Sequence, residues 1–334
     1  MDRQQEQPLI GEAPVLLEVL ERVSRVAQLN RPVLVVGERG TGKELIAARI
    51  HYLSPRWDRP FVKLNCAALS ESLLETELFG HEAGSFTGAT RRRLGRFELA
   101  NQGSLFLDEL ATTSDRVQEK ILRVIEYGEL ERVGGNDTIL TDVRIIGATN
   151  EDLPALAEQG KFRADLLDRL AFDVITLPPL RERTEDILPL ASHFAVKMSG
   201  ELGLELFEGF SEVARHLLME YAWPGNVREL KNVVERAVYT SLGSDEPVSE
   251  INFDPFESPW RPGGGQLESA IGPGGAAPTE AYDFKEHVQN TEIGLLQAAL
   301  KRCRFNQKKT AEFLGMTYHQ LRGYLRKYQL TDDP

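Results

Sequence analysis

The chain has 334 residues, of which 41% are apolar, enough for a sizeable core spread over two or three structural units. Its two cysteines, Cys66 and Cys303, lie far apart without metal-binding spacing, which argues against a disulfide framework or a zinc cluster and for reduced thiols. The polar start, residues 1–7, opens no apolar run, and no run is long enough to cross a bilayer, so neither a signal peptide nor membrane insertion is expected and a cytoplasmic location is. The net charge of −12 speaks against nucleic acid, but the charge is uneven. Between residues 301 and 328 eight bases (Lys301, Arg302, Arg304, Lys308, Lys309, Arg322, Arg326, Lys327) face one acid, Glu312. An acidic body with a basic tail suggests a tail that meets phosphate.

The first expected strand, 33–36, runs into Gly37-Glu38-Arg39-Gly40-Thr41-Gly42-Lys43, followed by a helical pattern over 44–53. Strand, glycine-rich turn and helix in that order cradle phosphate. Backbone N–H groups and the helix N-terminus bind the anion, glycines let the backbone approach, and Lys43 reaches the terminal phosphates. The usual next residue is a magnesium-binding Ser or Thr; here it is Glu44. Trp57 follows in a polar stretch, where it is either a partner contact or a partly buried loop residue. A strand over 61–64 ends at Asn65. Beyond it, Gly84-Ser85-Phe86-Thr87-Gly88-Ala89 places a Phe-Thr pair between glycines. On residue chemistry alone this is either a mobile tip that offers Phe86 and Thr87 to a partner or a tight hairpin with a half-buried Phe.

A third strand, 104–107, ends in Asp108-Glu109. Beside a phosphate loop, Asp108 suits magnesium and Glu109 suits polarising the attacking water. A helix over 116–127 and strands at 143–146 and 172–175 complete an alternation that implies a mostly parallel sheet covered on both faces, an α/β fold. After 177–180 the pattern turns helical, at about 186–199, 211–221 and 226–242. Gly and Pro crowd 257–278 as in a flexible linker. In the tail, helices at 307–314 and 317–327 flank a turn at Gly315-Met316, a helix-turn-helix pattern. Its second helix would bring Thr317, Tyr318, His319, Gln320 and Arg322 to base edges and Arg326 and Lys327 to phosphate, with Lys308 and Lys309 on the first helix. A preceding helix, with Val288, Leu295, Leu296 and Ala299 on one side, either pairs subunits or packs on the tail. The expected boundaries are 8–180 for the α/β core, 181–256 for a helical subdomain, 257–281 for the linker and 282–330 for the DNA-binding unit.

Gly84 to Ala89 resembles the GAFTGA loop, the signature of bacterial enhancer-binding proteins, AAA+ ATPases that remodel sigma-54 RNA polymerase. The resemblance covers nearly the whole chain: residues 37–44, 77–82, 107–109, and Trp223-Pro224-Gly225-Asn226-Val227-Arg228-Glu229-Leu230, with a Fis-type unit at the end. The family commonly has glutamate after the lysine, which accounts for Glu44; Ser85 departs from its usual alanine. The resemblance implies an AAA+ P-loop fold with a helical lid, ATP and Mg2+ as cofactors, and a loop that contacts sigma-54. It also implies tethering by upstream enhancer DNA and a ring, a hexamer in the family. It assigns Asn65 to a pairing with Glu109 that links nucleotide state to loop position, and Thr149 and Asn150 to sensing the terminal phosphate or water. Arg163 and Arg169 resemble the fingers inserted into a neighbour's site, and Arg228 the lid arginine at the phosphates. From the residues alone, Asn65 reads equally as a turn cap, Arg169 as a helical partner of Asp165, and Arg228 as a partner of Glu229. The chain starts almost directly at the ATPase region, as do the phage-shock activators of this family. Such an architecture implies control from outside by a PspA-like inhibitor, for which Trp57 is a candidate contact. A DNA-binding regulator whose ATPase core serves only assembly is the alternative, and Glu109 with the Phe86-Thr87 loop argues against it.

Overall fold

Apolar, largely β-branched runs too short for a helix become strands buried on both faces, and the helical patterns between them supply the covering layers. The structure, a computed structural model, describes residues 9–85, 89–204, 206–242, 246–256, 289, 292–296, 299–300 and 307–328. The chain divides into a unit ending at Pro255 and a second from Phe256 onward. In the first unit, α1 (Pro14–Ala27) precedes β1 (Val33–Val36), α2 (Lys43–Tyr52), β2 (Phe61–Asn65) and α3 (Glu71–Phe79). Then come β3 (Gly80–His81), β4 (Arg93–Leu94), α4 (Arg96–Leu99), β5 (Ser104–Asp108), α5 (Asp115–Tyr127), β6 (Glu129–Glu131) and β7 (Thr138–Leu140). The α/β part closes with β8 (Arg144–Thr149), α6 (Leu153–Glu158), α7 (Ala164–Leu170) and β9 (Val174–Thr176).

The five long strands form a parallel sheet in the order β2-β5-β8-β1-β9. Its register decides where chemistry collects. Asn65 lies beside Asp108, and Val36 beside Thr149, so the carboxyl ends of β1, β2, β5 and β8 open onto one edge. One face buries Leu105, Leu107, Ile121, Phe97 and Phe79, the last two stacked 5.4 Å apart; the other buries Val33, Val35, Ile46, Ile50 and Ile146. Two hairpins, β3–β4 and β6–β7, stand outside this sheet. Neither is foreseen from sequence: two- and three-residue strands rich in charge carry no alternation long enough to read.

After β9 the chain becomes helical, with α8 (Ile187–Glu201), α9 (Glu212–Glu220) and α10 (Asn226–Thr240) around a separate core of Trp223, Leu230, Val234, Ala195 and Leu218. This helical part is tied to the start of the chain. The buried Asp186 carboxylate accepts from the backbone N–H groups of Glu12 (2.6 Å) and Ala13 (2.9 Å), capping α1 from outside. In the second unit, α11 (Gln307–Phe313) and α12 (Tyr318–Lys327) enclose Ala311, Leu321 and Leu325 with Leu296 and Leu300, and Gly315 turns the chain between them at φ +64°. Leu296 and Ala299 are buried as expected, but Leu295 is 62% exposed and so stands off their side; Val288 and the linker 257–281 lie outside the described residues. Among the described residues no helix is long and apolar enough to cross a membrane.

Candidate nucleotide site and partner surfaces

The loop after β1 is shaped by close approach. Gly40 has φ +79°, and a β-carbon there would stand 2.2 Å from the Gly225 carbonyl, so the loop meets the helical part with no space for a side chain. Gly42, in the left-handed region, caps α2. Lys43 is buried and turns back into its own loop, Nζ donating to the carbonyls of Gly37 (2.9 Å) and Glu38 (3.2 Å). Burial lowers its ammonium pKa, against the pull of the Asp108 and Glu109 carboxylates. The Thr41 hydroxyl donates to the Glu38 carbonyl at 2.8 Å. Glu44 is turned away from the loop to Lys63, 3.0 Å away. Glu38 is held by Arg181 at 2.6 and 3.0 Å and by Asn226 at 3.0 Å, and those hydrogen bonds lower its carboxyl pKa to about 2.

Asp108 and Glu109 follow β5. Glu109 has φ +52°, its backbone N–H donates to Asp108 Oδ1 at 3.0 Å, and its carboxylate lies 3.9 Å from Arg39 Nε. The Asn65–Glu109 pairing expected above is absent: Asn65 Nδ2 faces Asp108 Oδ2 at 3.5 Å while its Oδ1 caps the following turn at Ala67 N. The parallel register explains the difference, since it sets Asn65 beside Asp108 and leaves Glu109 beyond the strand end. Thr149 is buried, with its carbonyl accepting from Gly37 N–H and its hydroxyl from Glu151 N–H. The buried Oδ1 of Asn150 has no hydrogen-bond partner among the described residues.

Arg228, in the first turn of α10, makes no hydrogen bond or ion pair among the described residues, and the expected partner Glu229 is engaged elsewhere, by Gly225 N–H (2.7 Å) and Tyr221 (3.3 Å). A cation at a helix N-terminus is unfavourable until an anion joins it. Beside the loop a cavity of about 180 Å³ has apolar walls at Ile10, Leu177 and Val227 and basic ones at Arg183, Lys197 and Lys231. Arg163 and Arg169 are not brought to this site. Arg163 pairs with Asp165 at 2.7 Å and Arg169 with Glu126 at 2.9 Å, both near α5. Arg169 thus meets Glu126 rather than Asp165, whose carboxylate is already taken. Sequence reasoning quoted Asn226 but missed its contacts, together with Arg181 and the buried Arg183, which donates to the Thr41 carbonyl at 3.0 Å. An Asn directly after Pro-Gly at a helix start is the signal that was available.

In the Gly84–Ala89 loop, Gly84 N–H donates to the Ala89 carbonyl at 2.7 Å and Ser85 turns back on Glu82; Phe86, Thr87 and Gly88 lie outside the described residues. Arg132 clamps the loop base, reaching Glu82 at 2.7 Å and Glu98 at 2.5 Å. Trp57 is 64% exposed, which removes the partly buried alternative. On α12, His319, Arg322 and Arg326 are exposed. Thr317 and Gln320 form a reciprocal cap, so Gln320 Oε1 is occupied by Thr317 N–H (2.9 Å), and Tyr318 is half-buried with its hydroxyl on Gln307. Lys327 is exposed, lies 3.6 Å from Glu292 and donates to the Tyr328 hydroxyl. Lys309 is exposed; of Lys308 only the backbone is described.

A parallel sheet, a phosphate loop, an acidic strand end and a helical lid define an AAA+ ATPase, here followed by a helix-turn-helix. Residues 9–176 match the Sigma-54 interaction domain, 181–256 the AAA+ ATPase lid domain, and 288–328 the Fis family of bacterial regulatory proteins. The chain belongs to the sigma-54-dependent transcriptional activators, ATPases that carry a DNA-binding unit. It is 58% identical over 322 residues to the Psp operon transcriptional activator of Escherichia coli (strain K12), covering 96% of this chain and 98% of that one. To the Nif-specific regulatory protein of Azotobacter vinelandii it is 46% identical over 319 residues, covering 95% of this chain and 58% of that one. NtrX of Brucella abortus, solved in complex with ATP, has a TM-score of 0.69 at 32% identity, covering 96% of this chain and 70% of that one.

Proposed function

We propose that this chain activates a phage-shock operon by hydrolysing ATP in a ring, with hydrolysis moving the Gly84–Ala89 loop against sigma-54 polymerase held near by enhancer DNA. The observation that carries the reading is the meeting of the phosphate loop with the lid: a β-carbon on Gly40 would stand 2.2 Å from the Gly225 carbonyl and 3.0 Å from the Arg228 β-carbon, which puts the lid arginine at the phosphate loop. The near full-length likeness to the Psp operon activator supports the choice of operon.

In this reading the triphosphate takes over the hydrogen bonds that Lys43 Nζ now gives to Gly37 and Glu38, while backbone N–H groups from Gly37 to Glu44 line the phosphates. Asp108 suits Mg2+, which needs one or two carboxylates with phosphate and water rather than a protein cage. When bound, the metal neutralises charge developing on the phosphates. Glu109 orients and polarises the attacking water, and Thr149 and Asn150 bound its position, with the unpartnered Asn150 Oδ1 available as an acceptor. Asn65, now on Asp108, reaches Glu109 only in another nucleotide state. Arg163 and Arg169 act on a neighbour's nucleotide, so a lone subunit has an incomplete site. Arg39 stays on Glu109 until nucleotide draws it away. Exposed Trp57 is the contact for a PspA-like inhibitor, and the whole assembly works on the nucleoid in the cytoplasm.

The test is transcription from a sigma-54 promoter with purified polymerase, ATP turnover followed in parallel, for the wild type and Thr87→Ala. Open complexes with the wild type, and hydrolysis without activation in the variant, support the reading. A wild type that binds DNA and hydrolyses ATP but never activates supports instead the regulator whose ATPase serves assembly.

A further inference from the structure

Asn226 stands where three parts of the nucleotide unit meet. It is fully buried and holds φ +53°, a conformation that a non-glycine residue keeps only when its surroundings over-determine it. Its Oδ1 accepts from Leu180 N–H at 2.7 Å, at the junction between sheet and lid. Its Nδ2 donates to Glu38 Oε2 at 3.0 Å and to the Arg39 carbonyl at 3.1 Å, both in the phosphate loop. The carboxamide therefore needs one acceptor and two donor positions, which no other side chain of this size supplies. Two residues further on is Arg228, whose β-carbon would lie 3.0 Å from a methyl placed on Gly40.

We infer that Asn226 is a positioning residue that latches the lid to the phosphate loop and thereby sets Arg228 over the triphosphate. Arg181 reinforces the latch from the junction by donating to both Glu38 oxygens, sharing Oε2 with Asn226. The inference rests on the ATPase reading above. It goes further in assigning the lid's nucleotide grip to a residue that touches no phosphate.

Asn226→Asp keeps the volume, the tolerance of positive φ and the acceptor for Leu180, but loses both donors and sets a carboxylate against Glu38. The full chain would be titrated with N-methylanthraniloyl-ATP, and ATPase KM and kcat measured on the same samples. Asn226→Asp is expected to weaken binding about tenfold, the scale of one to two lost hydrogen bonds, with KM rising more than kcat falls. Adding Glu38→Gln removes the repulsion between the two carboxylates but leaves the Arg39 carbonyl without its donor, so it is expected to recover part of the loss, to within about fivefold of wild type. A pair no better than Asn226→Asp alone, or an Asn226→Asp protein that binds like wild type, overturns the latch. Asn226→Gly, free of backbone strain but without the carboxamide, should bind as poorly as Asn226→Asp, and wild-type binding by it also overturns the latch. A wild type that binds no nucleotide overturns the ATPase reading and the latch together.

Discussion

Trp223 opens the turn that carries Asn226 and Arg228, so its energetics bear on the site as well as on the lid. The indole is fully buried, stands edge-on to Tyr221 at 5.0 Å and to Phe253 at 5.7 Å, and donates Nε1–H to the Leu218 carbonyl at 2.9 Å. Its φ of +50° is a strain shared by any non-glycine replacement, so substitutions compare side chains alone. Trp223→Ala should cost about 3–5 kcal/mol, the range for emptying a large aromatic site. Trp223→Phe keeps most of the packing and gives up one hydrogen bond to a buried carbonyl, about 1–2 kcal/mol. At about 2–4 °C per kcal/mol for a unit of this size, the midpoints should fall by ~6–20 °C and ~2–8 °C respectively. Thermal unfolding of the full chain followed by far-UV circular dichroism measures both, and ATP binding should weaken in the same order. Equal losses from the two changes, or a loss below about 1 kcal/mol for alanine, would refute the view that this indole organises the lid.

Three further outcomes follow from other sites. Burial raises the Cys66 thiol to about 12, so at pH 8 almost none is thiolate and Cys66 should stay unmodified by iodoacetamide in the native protein; peptide mapping that finds it alkylated contradicts this. The Glu38 carboxyl is lowered from 4.5 to about 2, so its contribution to stability is present above about pH 4.5 and lost as pH falls through about 2. The pair with Arg181 is partly exposed, so the effect is small, but the gap in urea midpoint between wild type and Glu38→Gln should close over that window, and a gap independent of pH counts against it. Arg169→Ala loses only a half-exposed pair with Glu126, so its melting point should stay near wild type while ATPase falls at least tenfold; unchanged turnover removes the finger role.

The α/β class and the phosphate loop were legible because both rest on local patterns: apolar runs of strand length, and glycines set between a strand and a lysine. What escaped was decided by register and by competition for partners. Asn65 was expected on Glu109, yet a parallel pairing of β2 with β5 puts Asp108 beside it. Arg169 was offered Asp165 at helical spacing, but Arg163 already holds that carboxylate with two hydrogen bonds, leaving Glu126. Thr317 and Gln320 read as base contacts because they open a recognition helix, and the same position makes them its cap. For Asn65 and Arg169 the partner lies 43 residues away in sequence, whereas Thr317 and Gln320 are claimed by each other, three residues apart.

Ser85, the departure from the family's loop, shows how such distant contacts set tolerance. Its hydroxyl donates to the Glu82 carbonyl at 2.8 Å, within the base of the loop. Its β-carbon is close to Gly134, where an added methyl would stand only 2.5 Å away. Position 85 therefore has to be small because the segment after β6 packs on it, and a hydroxyl that bonds inward satisfies that limit. Val133 receives Glu82 N–H at its carbonyl, and Arg132 binds Glu82 and Glu98 together, so the loop base is held from the neighbouring hairpin as well as by its own Gly84–Ala89 bond. A larger residue at 85, or any side chain at 134, would break the packing between these two segments.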